Sequence, residues 1–524
     1  MQGETRLLKI FTMNCWGIPL VSKNRHERIT ALADHLATCD YDFVCLQELW
    51  SEYDYHFIKE KTVDSLPYSH YFHSGVLGSG LCVLSRFPIE DVFFHQWPMN
   101  GYMHKLQHGD WFGGKGIGVC RIQLEDVYVN VYTAHLHAEY NPSNDEYLAH
   151  RVLQALDAAQ FVRLTAAGSD VAILGGDLNA LPGDLAQRII CLYAELEDSC
   201  CVAHPTETHK NFGTNETAAN SYTGKRVARE QPEGKRIDYI MFRTSSRVKV
   251  ERVQYKHPLP DRVPQHSFSY SDHDAVLATL ELSVMSPEAQ PQIDEPKPDP
   301  IPALTEGVAV CGSALRQLRR SRRIYWVFSV LFFVVVVCAT VFDAPEAYDK
   351  ILDVVIAVAS ILFCFTLFMC SLWNPIEVNA IRAGKLAMEV TLAAAELRLA
   401  GFVAQMEAAG AEHRERRQNS KQTRQSLTSE VDEGENSMTN QSDVLSNRSS
   451  RQSKCLLLSE SKKDTDMGSR QLLLSESMDI VENHTGQPLL QETRHNSQGE
   501  HRQSVLIPNF SFLHKCWFRA DSKS

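Results

Sequence analysis

Two uninterrupted apolar runs constrain the fold of this chain more than any other feature. They cover Ile324–Phe342 and Val354–Trp373, and each approaches the ~20 residues that a helix needs to cross the hydrocarbon core of a bilayer. The alternative is a pair of buried core helices, but helices that are apolar on every side are rare in soluble domains. The sequence therefore predicts a transmembrane hairpin over residues 324–373.

Charges on either side of the hairpin predict its orientation. Arg382 and Lys385 follow the second run, and the charged residues of the short loop between the runs, Asp343–Asp353, are mostly acidic. The residues before the first run include Arg316, Arg319, Arg320, Arg322 and Arg323. Because positive charges mark the cytoplasmic side of a membrane protein, we expect both ends of the hairpin in the cytosol.

The rest of the chain divides by composition. Residues 1–285 alternate strand-length runs with helical patterns, which predicts an α/β domain whose sheets are covered by helices. The strand-length runs are Leu7–Met13, Asp42–Leu46, Gly80–Leu84, Val127–Thr133, Val171–Leu174, Ile237–Phe242 and Val276–Leu282. Prolines predict an extended linker at 286–303, and a basic juxtamembrane segment follows at 304–323. After the hairpin we expect a helical cytosolic segment, 374–418, and a disordered Ser/Gln-rich tail, 419–524.

Charge and cysteine usage narrow the functional class. The formal net charge is -12, which disfavours nucleic acid as a partner because phosphate backbones attract cationic surfaces. The 14 cysteines are scattered and form no CxxC pair, so a zinc knuckle is not expected. No signal-peptide pattern is found at the N-terminus. These features together favour a folded N-terminal domain in the reducing cytosol.

Polar residues suited to phosphodiester hydrolysis stand at the ends of the predicted strands. That reaction needs a hard cation held by oxygen ligands, a base for water and donors for the phosphoryl oxygens. Glu48 is suited to bind the cation, and His273, oriented by Asp238 or Asp272, is suited to act as the base. Suitable donors are Asn14, Asn179 and His135. Each residue alone has a structural explanation, such as a turn or a cap, but the set supplies all three parts.

The order of these motifs resembles the endonuclease/exonuclease/phosphatase superfamily. The motifs read N, QE, a THL-like block, GDLN, RIDY and SDH, and they span nearly all of residues 1–285. The third motif departs from the family pattern because Ala134 separates Thr133 from His135. The resemblance implies an α+β fold: a four-layer α/β/β/α sandwich as the catalytic domain, followed by the transmembrane hairpin and the disordered tail.

Longer blocks resemble the neutral sphingomyelinases of the two-transmembrane type. They are NCWGIP at 14–19, GSGLCVLSRFPI at 78–89 and HGDWFGGKGIG at 108–118. This resemblance implies Mg²⁺-dependent, phospholipase C-type hydrolysis of sphingomyelin to ceramide and phosphocholine, by direct attack of water. It also implies residence in the endoplasmic reticulum, Golgi or nuclear envelope. The long tail has no counterpart in that pattern, and its partners are left open.

The resemblance assigns a role to each motif residue. It places Mg²⁺ at Glu48, Asn14 and Asp272, and it makes His273 the base, oriented by Asp238. The remaining roles fall to Asp177 and Asn179, which bind and polarise phosphate and water, to His135, which donates to the phosphoryl oxygens, and to Lys115, a phosphate contact. A second metal near His137 and Glu139 is left open.

Other functions compete with this interpretation. Within the same fold they are a phospholipase C for lyso-ether phospholipids, an inositol-polyphosphate phosphatase and a nuclease. The phosphatase pattern P-A-W-C-D-R is replaced here by GKRIDYIMF, and a nuclease has no need of a membrane hairpin. A membrane scaffold without catalysis is the alternative from another class, and metal binding would discriminate against it.

Overall fold

The computed structural model describes residues 5–105, 108–207, 212–285, 299–342, 345–401 and 403–404. Most of the expected linker (286–298), the start of the hairpin loop (343–344), the end of the expected helical segment and the whole expected disordered tail lie outside these residues.

Strands in the described part of residues 5–285 form two six-stranded sheets. In spatial order the first contains β11 (Val248–Lys256), β12 (Val276–Val284), β1 (Thr5–Asn14), β2 (Phe43–Gln47), β4 (Leu81–Ser85) and β3 (Tyr68–Phe72). The second contains β5 (Ile89–Gln96), β6 (Gly116–Leu124), β7 (Val127–His135), β8 (Val171–Asp177), β10 (Asp238–Thr244) and β9 (Glu197–Asp198). All seven predicted strands are confirmed, and β3, β5, β6, β9 and β11 are additional.

The two sheets pack face to face, and helices cover their outer faces. Strand β1 lies against β8 and β10, and β2 lies against β7, with side chains such as Ile10 and Ile173 fully buried between them. Helices α1 (Arg25–Thr38) and α2 (Glu52–Lys61) cover the first sheet. Helices α3 (Leu148–Thr165) and α4 (Leu185–Ala194) cover the second. The four-layer α/β/β/α sandwich, which we call the head, is therefore confirmed. Shorter helices, α5 (Ser199–Ala203) and α6 (Lys225–Glu230), lie in its connections.

Two long helices follow the head. Helix α7 covers Ile301–Val341, and α8 covers Asp349–Gly401 with a π-helical turn at Met369–Trp373. In their most apolar windows only 6% and 11% of the residues are buried, whereas a core helix of a soluble domain would be mostly buried. Both helices are long and apolar enough to cross a membrane, which fits the expected hairpin. Helix α7 begins within the expected linker, with Pro302 in its first turn, where proline is tolerated.

The end of α7 before the first apolar run and the end of α8 after the second pack on the head. We call these ends, residues 301–323 and 374–401, the stalk. Leu304 and Leu315 of α7 and Met388 of α8 are buried in the core beside α3 and α4. Contact is close at Gly384, where an added Cβ would lie 2.1 Å from Cδ2 of Leu153. The head therefore packs directly on α7 and α8.

Candidate active site

The residues predicted from the motifs meet at one edge of the sandwich. Strands β1 and β2 are parallel neighbours, as are β7 and β8, and all four end at this edge. Strand β10 is antiparallel to β8 and begins there, with Asp238 opposite Asp177. The loop before β12 brings His273 to the same place. The fold thus assembles a site from strand ends that are distant in the sequence.

His273 and Asp238 form a buried pair, which we call the base side. Nδ1 of His273 lies 2.8 Å from Oδ2 of Asp238, and its Nε2 lies 4.0 Å from Oδ2 of Asp177. Burial lowers the pKa of His273, but the charge of Asp238 and the hydrogen bond with it raise that pKa well above its ordinary value. The carboxylates therefore stabilise the imidazolium, the form that His273 takes once it has accepted a proton.

Asn14, Glu48 and Asp177 form what we call the metal side. The Nδ2 atom of Asn14 donates to Oε1 of Glu48 at 3.2 Å and to Oδ2 of Asp177 at 2.9 Å. Its Oδ1 atom accepts from the backbone N–H of Trp16 at 3.0 Å. Removal from water raises the pKa of Glu48 and raises that of Asp177 to about 7. A neutral amide thus holds two carboxyl groups close together.

The metal side fits a hard divalent cation. The Oε2 atom of Glu48 is buried and has no hydrogen-bond partner among the described residues. Glu48 also has a φ of 54°, a left-handed backbone that costs a non-glycine residue energy and that is concentrated at functional sites. Unpaired buried carboxylates are stabilised by metal binding, and hard cations prefer oxygen ligands.

A group of three residues in the described part of the chain could also hold a metal ion. Atoms of Asp177, Asp238 and His273 all lie within 4.8 Å of one another, and Oδ1 of Asp238 is buried without a partner there. This group consists of the base side together with Asp177. A candidate metal site therefore lies where the two sides meet, and the ligand roles of Glu48, Asn14 and Asp272 stay predictions.

Lys115 and His135 lie beside the metal side. The Nζ atom of Lys115 is 2.6 Å from Oδ1 of Asp110 and 3.3 Å from Nε2 of His135. The Nε2 atom of His135 is also 3.4 Å from Oδ2 of Asp177. Burial and the nearby Lys115 charge lower the pKa of His135 well below its ordinary value, so its imidazole is neutral. Burial lowers the pKa of Lys115, but Asp110 outweighs it and raises that pKa. The site thus holds a buried ammonium next to a neutral imidazole.

Asn179 and Asp272 occupy the rim of this arrangement. The backbone N–H of Asn179 donates to Oδ1 of Asp177 at 2.9 Å, and its Nδ2 donates to the carbonyl of Leu136 at 3.0 Å. Asp272 is partly buried, and its negative charge contributes to the raised pKa of Glu48. The structure therefore brings both residues to the site, where Asn179 steadies the carboxylate of Asp177.

His137, two residues after His135, faces Asp110. Its Nε2 atom lies 3.6 Å from Oδ2 of Asp110, and its ring stacks on Tyr147 with 4.0 Å between the centroids. Neither His137 nor Glu139 belongs to the three-residue metal group found among the described residues.

Arg28 is a residue that the sequence analysis missed. Its guanidinium is fully buried and donates to the carbonyls of Cys15 at 2.7 Å, Trp16 at 2.7 Å and Tyr270 at 3.0 Å. The first two carbonyls follow Asn14, and the third precedes the loop of His273. Arg28 thus ties the backbone of the metal side to that of the base side. The sequence did contain an indication that Arg28 is buried, because Arg28 lies one helical turn before Leu32 on the buried face of α1.

A polar segment before α6 also contributes to the site, and its role was not predicted from the sequence. Nδ2 of Asn215 donates to the carbonyl of Asp272 at 3.2 Å, and Nδ2 of Asn220 donates to that of Ser271 at 2.9 Å. These bonds fix the backbone on which His273 is carried. Asparagines in a loop are usually explained as turn formers, so their role here needed the structure.

The part of the chain that carries the candidate site matches a known protein family. Residues 11–273 match the profile of the Endonuclease/Exonuclease/phosphatase family. The match begins in β1, just before Asn14, and ends at His273, so it spans the whole candidate site.

Three curated proteins illustrate the similarity. A Drosophila melanogaster protein provisionally named neutral sphingomyelinase is 39% identical, and the match covers 74% of this chain and 97% of that protein. Sphingomyelin phosphodiesterase 2 of Homo sapiens is 37% identical over 54% of this chain and 67% of its own. An inositol phosphosphingolipids phospholipase C of Schizosaccharomyces pombe is 32% identical over 53% of this chain and 69% of its own. The chain therefore belongs to the endonuclease/exonuclease/phosphatase family.

Proposed function

We propose that this chain is a Mg²⁺-dependent sphingomyelin phosphodiesterase, which hydrolyses sphingomyelin to ceramide and phosphocholine at a membrane surface. The observation that carries the proposal is the buried pair of His273 and Asp238 beside the carboxylates of Glu48 and Asp177. That arrangement, on a head docked to two apolar helices, suits a phosphodiester within a lipid. The names of the fly and human relatives support the choice of substrate.

In this proposal His273 is the general base. Its Nδ1 is held by Asp238, which leaves Nε2 to take a proton from the attacking water. Asp238 orients the ring and stabilises the imidazolium that forms, as a carboxylate does in other histidine-based sites. Asp177, 4.0 Å from Nε2, polarises and positions the water.

Lys115 and His135 bind the phosphoryl group in this proposal. The ammonium of Lys115 is buried and fixed by Asp110, so its charge is directed at the site without a loss of side-chain freedom on binding. His135, kept neutral by burial and by Lys115, donates a hydrogen bond to a phosphoryl oxygen. Asn179 contributes by steadying Asp177 and by binding phosphate.

Glu48 would hold Mg²⁺, with Asn14 and Asp272 completing the protein's share of the ligands. When bound, the ion would stabilise the negative charge that develops on the ceramide oxygen as it leaves. The Oε2 atom of Glu48, which has no hydrogen-bond partner in the part of the chain that the structure describes, supports this assignment.

The proposed topology places the head and the tail in the cytosol, with a hairpin made by α7 and α8 in the bilayer. The arginines before the first span support it. The membrane is expected to be that of the endoplasmic reticulum, Golgi or nuclear envelope. Protease added to sealed microsomes should digest the head, and protection of the head would reverse the topology.

The test of the reaction is phosphocholine release from sphingomyelin at neutral pH, with Mg²⁺ and then with EDTA. We expect release with Mg²⁺ and none with EDTA. The name of the fission yeast relative makes inositol phosphosphingolipid the first alternative substrate, and a lyso-ether phospholipid the next. Release of neither headgroup from a folded protein would reject the phospholipase C proposal and leave the nuclease and phosphatase alternatives.

A further inference from the structure

Exposed apolar side chains surround the mouth of the candidate site. Leu20 and Val21 stand in the loop after β1, Val76 and Leu77 in the loop after β3, and Phe112 in the loop before β6. Leu20 is fully exposed to solvent, and Val76 is 77% exposed. Single exposed apolar residues are ordinary, but a group around a concave site marks an interaction surface. We call these five residues the collar.

Backbone hydrogen bonds connect the collar loops to the site. The N–H of Gly17 donates to the carbonyl of Glu48 at 2.9 Å, and the N–H of Leu49 donates to that of Gly80 at 3.0 Å. The N–H of Gly114, next to Lys115, donates to the carbonyl of Gly78 at 2.9 Å. Whatever binds the collar is therefore held within a few residues of the metal side and the ammonium.

The stalk shows which end of the head faces the membrane. Helix α3 starts at the site, and Leu153 near its start lies beside Gly384 of α8. Arg163 near its end lines a cleft with Thr391 and Arg398. Moving along α3 away from the site therefore also means moving along α8 away from the membrane span. The edge with the site and the collar consequently faces the bilayer.

Helix geometry gives the approximate height of this edge. Gly384 follows Trp373 at the end of the span by 11 residues, which is ~16 Å at the α-helical rise. Leu148 at the start of α3 is five residues closer to the membrane than Leu153, or ~8 Å. The site loops project beyond Leu148, and the ring of His104 lies 6.5 Å from that of Tyr325 at the start of the first span. The collar thus lies at about the level of the lipid headgroups.

We infer that the collar inserts into the leaflet from which the hairpin emerges and places the mouth of the site against the lipid headgroups. The inference rests on the proposed function, because a lipid phosphodiester lies at that depth. Leucine, valine and phenylalanine side chains gain free energy when they leave water for the acyl boundary. The occupant of the collar is therefore the bilayer, and no protein partner is needed to cover it.

The first test compares two double variants of the full chain in phosphatidylcholine vesicles in which a minority of the lipid is sphingomyelin. The collar variant is Val76→Ser with Leu77→Ser. The matched control is Val63→Ser with Leu164→Ser, which removes two apolar side chains that are 56% and 80% exposed at the other end of the head. Phosphocholine release should fall about tenfold in the collar variant, a loss of ~1.4 kcal/mol, and should be unchanged in the control.

A water-soluble, short-chain sphingomyelin separates docking from chemistry. The collar variant should hydrolyse it as fast as the unmodified protein does, because the catalytic residues are untouched. Equal losses on the soluble substrate and on vesicles, or no loss on vesicles, would overturn the inference.

A second test detects lipid contact without relying on activity. A photo-crosslinking amino acid at Leu20 should form lipid adducts in the same vesicles, and the same probe at Leu164 should not. Protein adducts at Leu20 in place of lipid would assign the collar to a protein partner and overturn the inference. Lipid adducts in a protein that releases no phosphocholine would keep the collar and reject the proposed function.

Discussion

The base side and the metal side of the site differ in how their charges are balanced. On the base side Asp238 lies 2.8 Å from a histidine that can take up the opposite charge. On the metal side Glu48 and Asp177 would carry like charges, and the group that donates to both of them is the neutral amide of Asn14. The first arrangement is favourable in the protein alone. The second has an electrostatic cost that a bound cation would remove.

This difference predicts how each side responds to substitution. A substitution on the base side should lower turnover and leave metal binding unchanged. Damage to the metal side should change metal binding and the stability of the metal-free protein as well as turnover. Activity and the Mg²⁺-induced rise in Tm, measured on the same variants, therefore test whether the two sides are distinct.

The largest effect is expected for His273→Ala. Loss of the base should lower kcat by about 10³-fold or more, within the range that general bases contribute. The rise in Tm caused by Mg²⁺ should remain, because the metal side is untouched. Loss of this rise would place His273 among the metal ligands and merge the two sides, as the grouping of His273 with Asp177 and Asp238 allows.

Glu48→Gln should follow, with about a hundredfold loss of kcat/KM and a much weaker response to Mg²⁺. The metal-free variant should be more stable than the unmodified protein by about 1–3 kcal/mol, because the substitution removes a charge whose Oε2 atom has no partner among the described residues. Thermal unfolding in EDTA measures this gain. A metal-free variant less stable than the unmodified protein would show that Glu48 is already satisfied without a cation.

The sequence predicted the positions of both sides because polar residues directly follow apolar runs. Glu48 and Asp177 end such runs, and the strands that carry them, β2 and β8, are fully buried and therefore strongly patterned. Strand β5 was missed because it lies at the edge of its sheet and all of its residues are at least partly exposed. A strand is recognised in a sequence from a continuous apolar run when both of its faces are buried, or from alternation when one face is buried. Strand β5 has neither pattern.

Contacts that depend on tertiary packing could not be predicted. Arg28 is a charged residue that is fully buried, which composition alone would place at the surface. The pairing of Lys115 with Asp110 depends on how their loop folds onto the head. Likewise, the Ala-rich stretch after the second span indicated a helix, but only the structure shows Met388 buried against the head.

Asn14→Ala should have a smaller effect than Glu48→Gln. It removes two charge-assisted hydrogen bonds, each expected to contribute ~1.5–3 kcal/mol, but it leaves both carboxylates in place. Bound Mg²⁺ would offset the charges of both carboxylates and so recover part of this loss. We therefore expect about a tenfold loss of kcat/KM at saturating Mg²⁺ and a larger loss at low Mg²⁺, where the absence of Asn14 as a proposed ligand also weakens binding. An equal loss at every Mg²⁺ concentration would mean that Asn14 acts on the substrate and has no part in holding the metal side together.

The smallest effect, a few-fold loss of kcat, is expected for Arg28→Lys. An ammonium keeps the charge but cannot reproduce the planar fork that donates at once to Cys15, Trp16 and Tyr270. Because Arg28 joins the backbones of both sides, its variant should lower kcat and weaken Mg²⁺ binding together, unlike His273→Ala. A matched Arg25→Lys change on the same helix, at a residue whose guanidinium pairs with the carboxylate of Asp54 in place of these backbone carbonyls, should leave both quantities unchanged. If Arg28→Lys lowers only Tm, the two sides are positioned independently and Arg28 serves the fold alone.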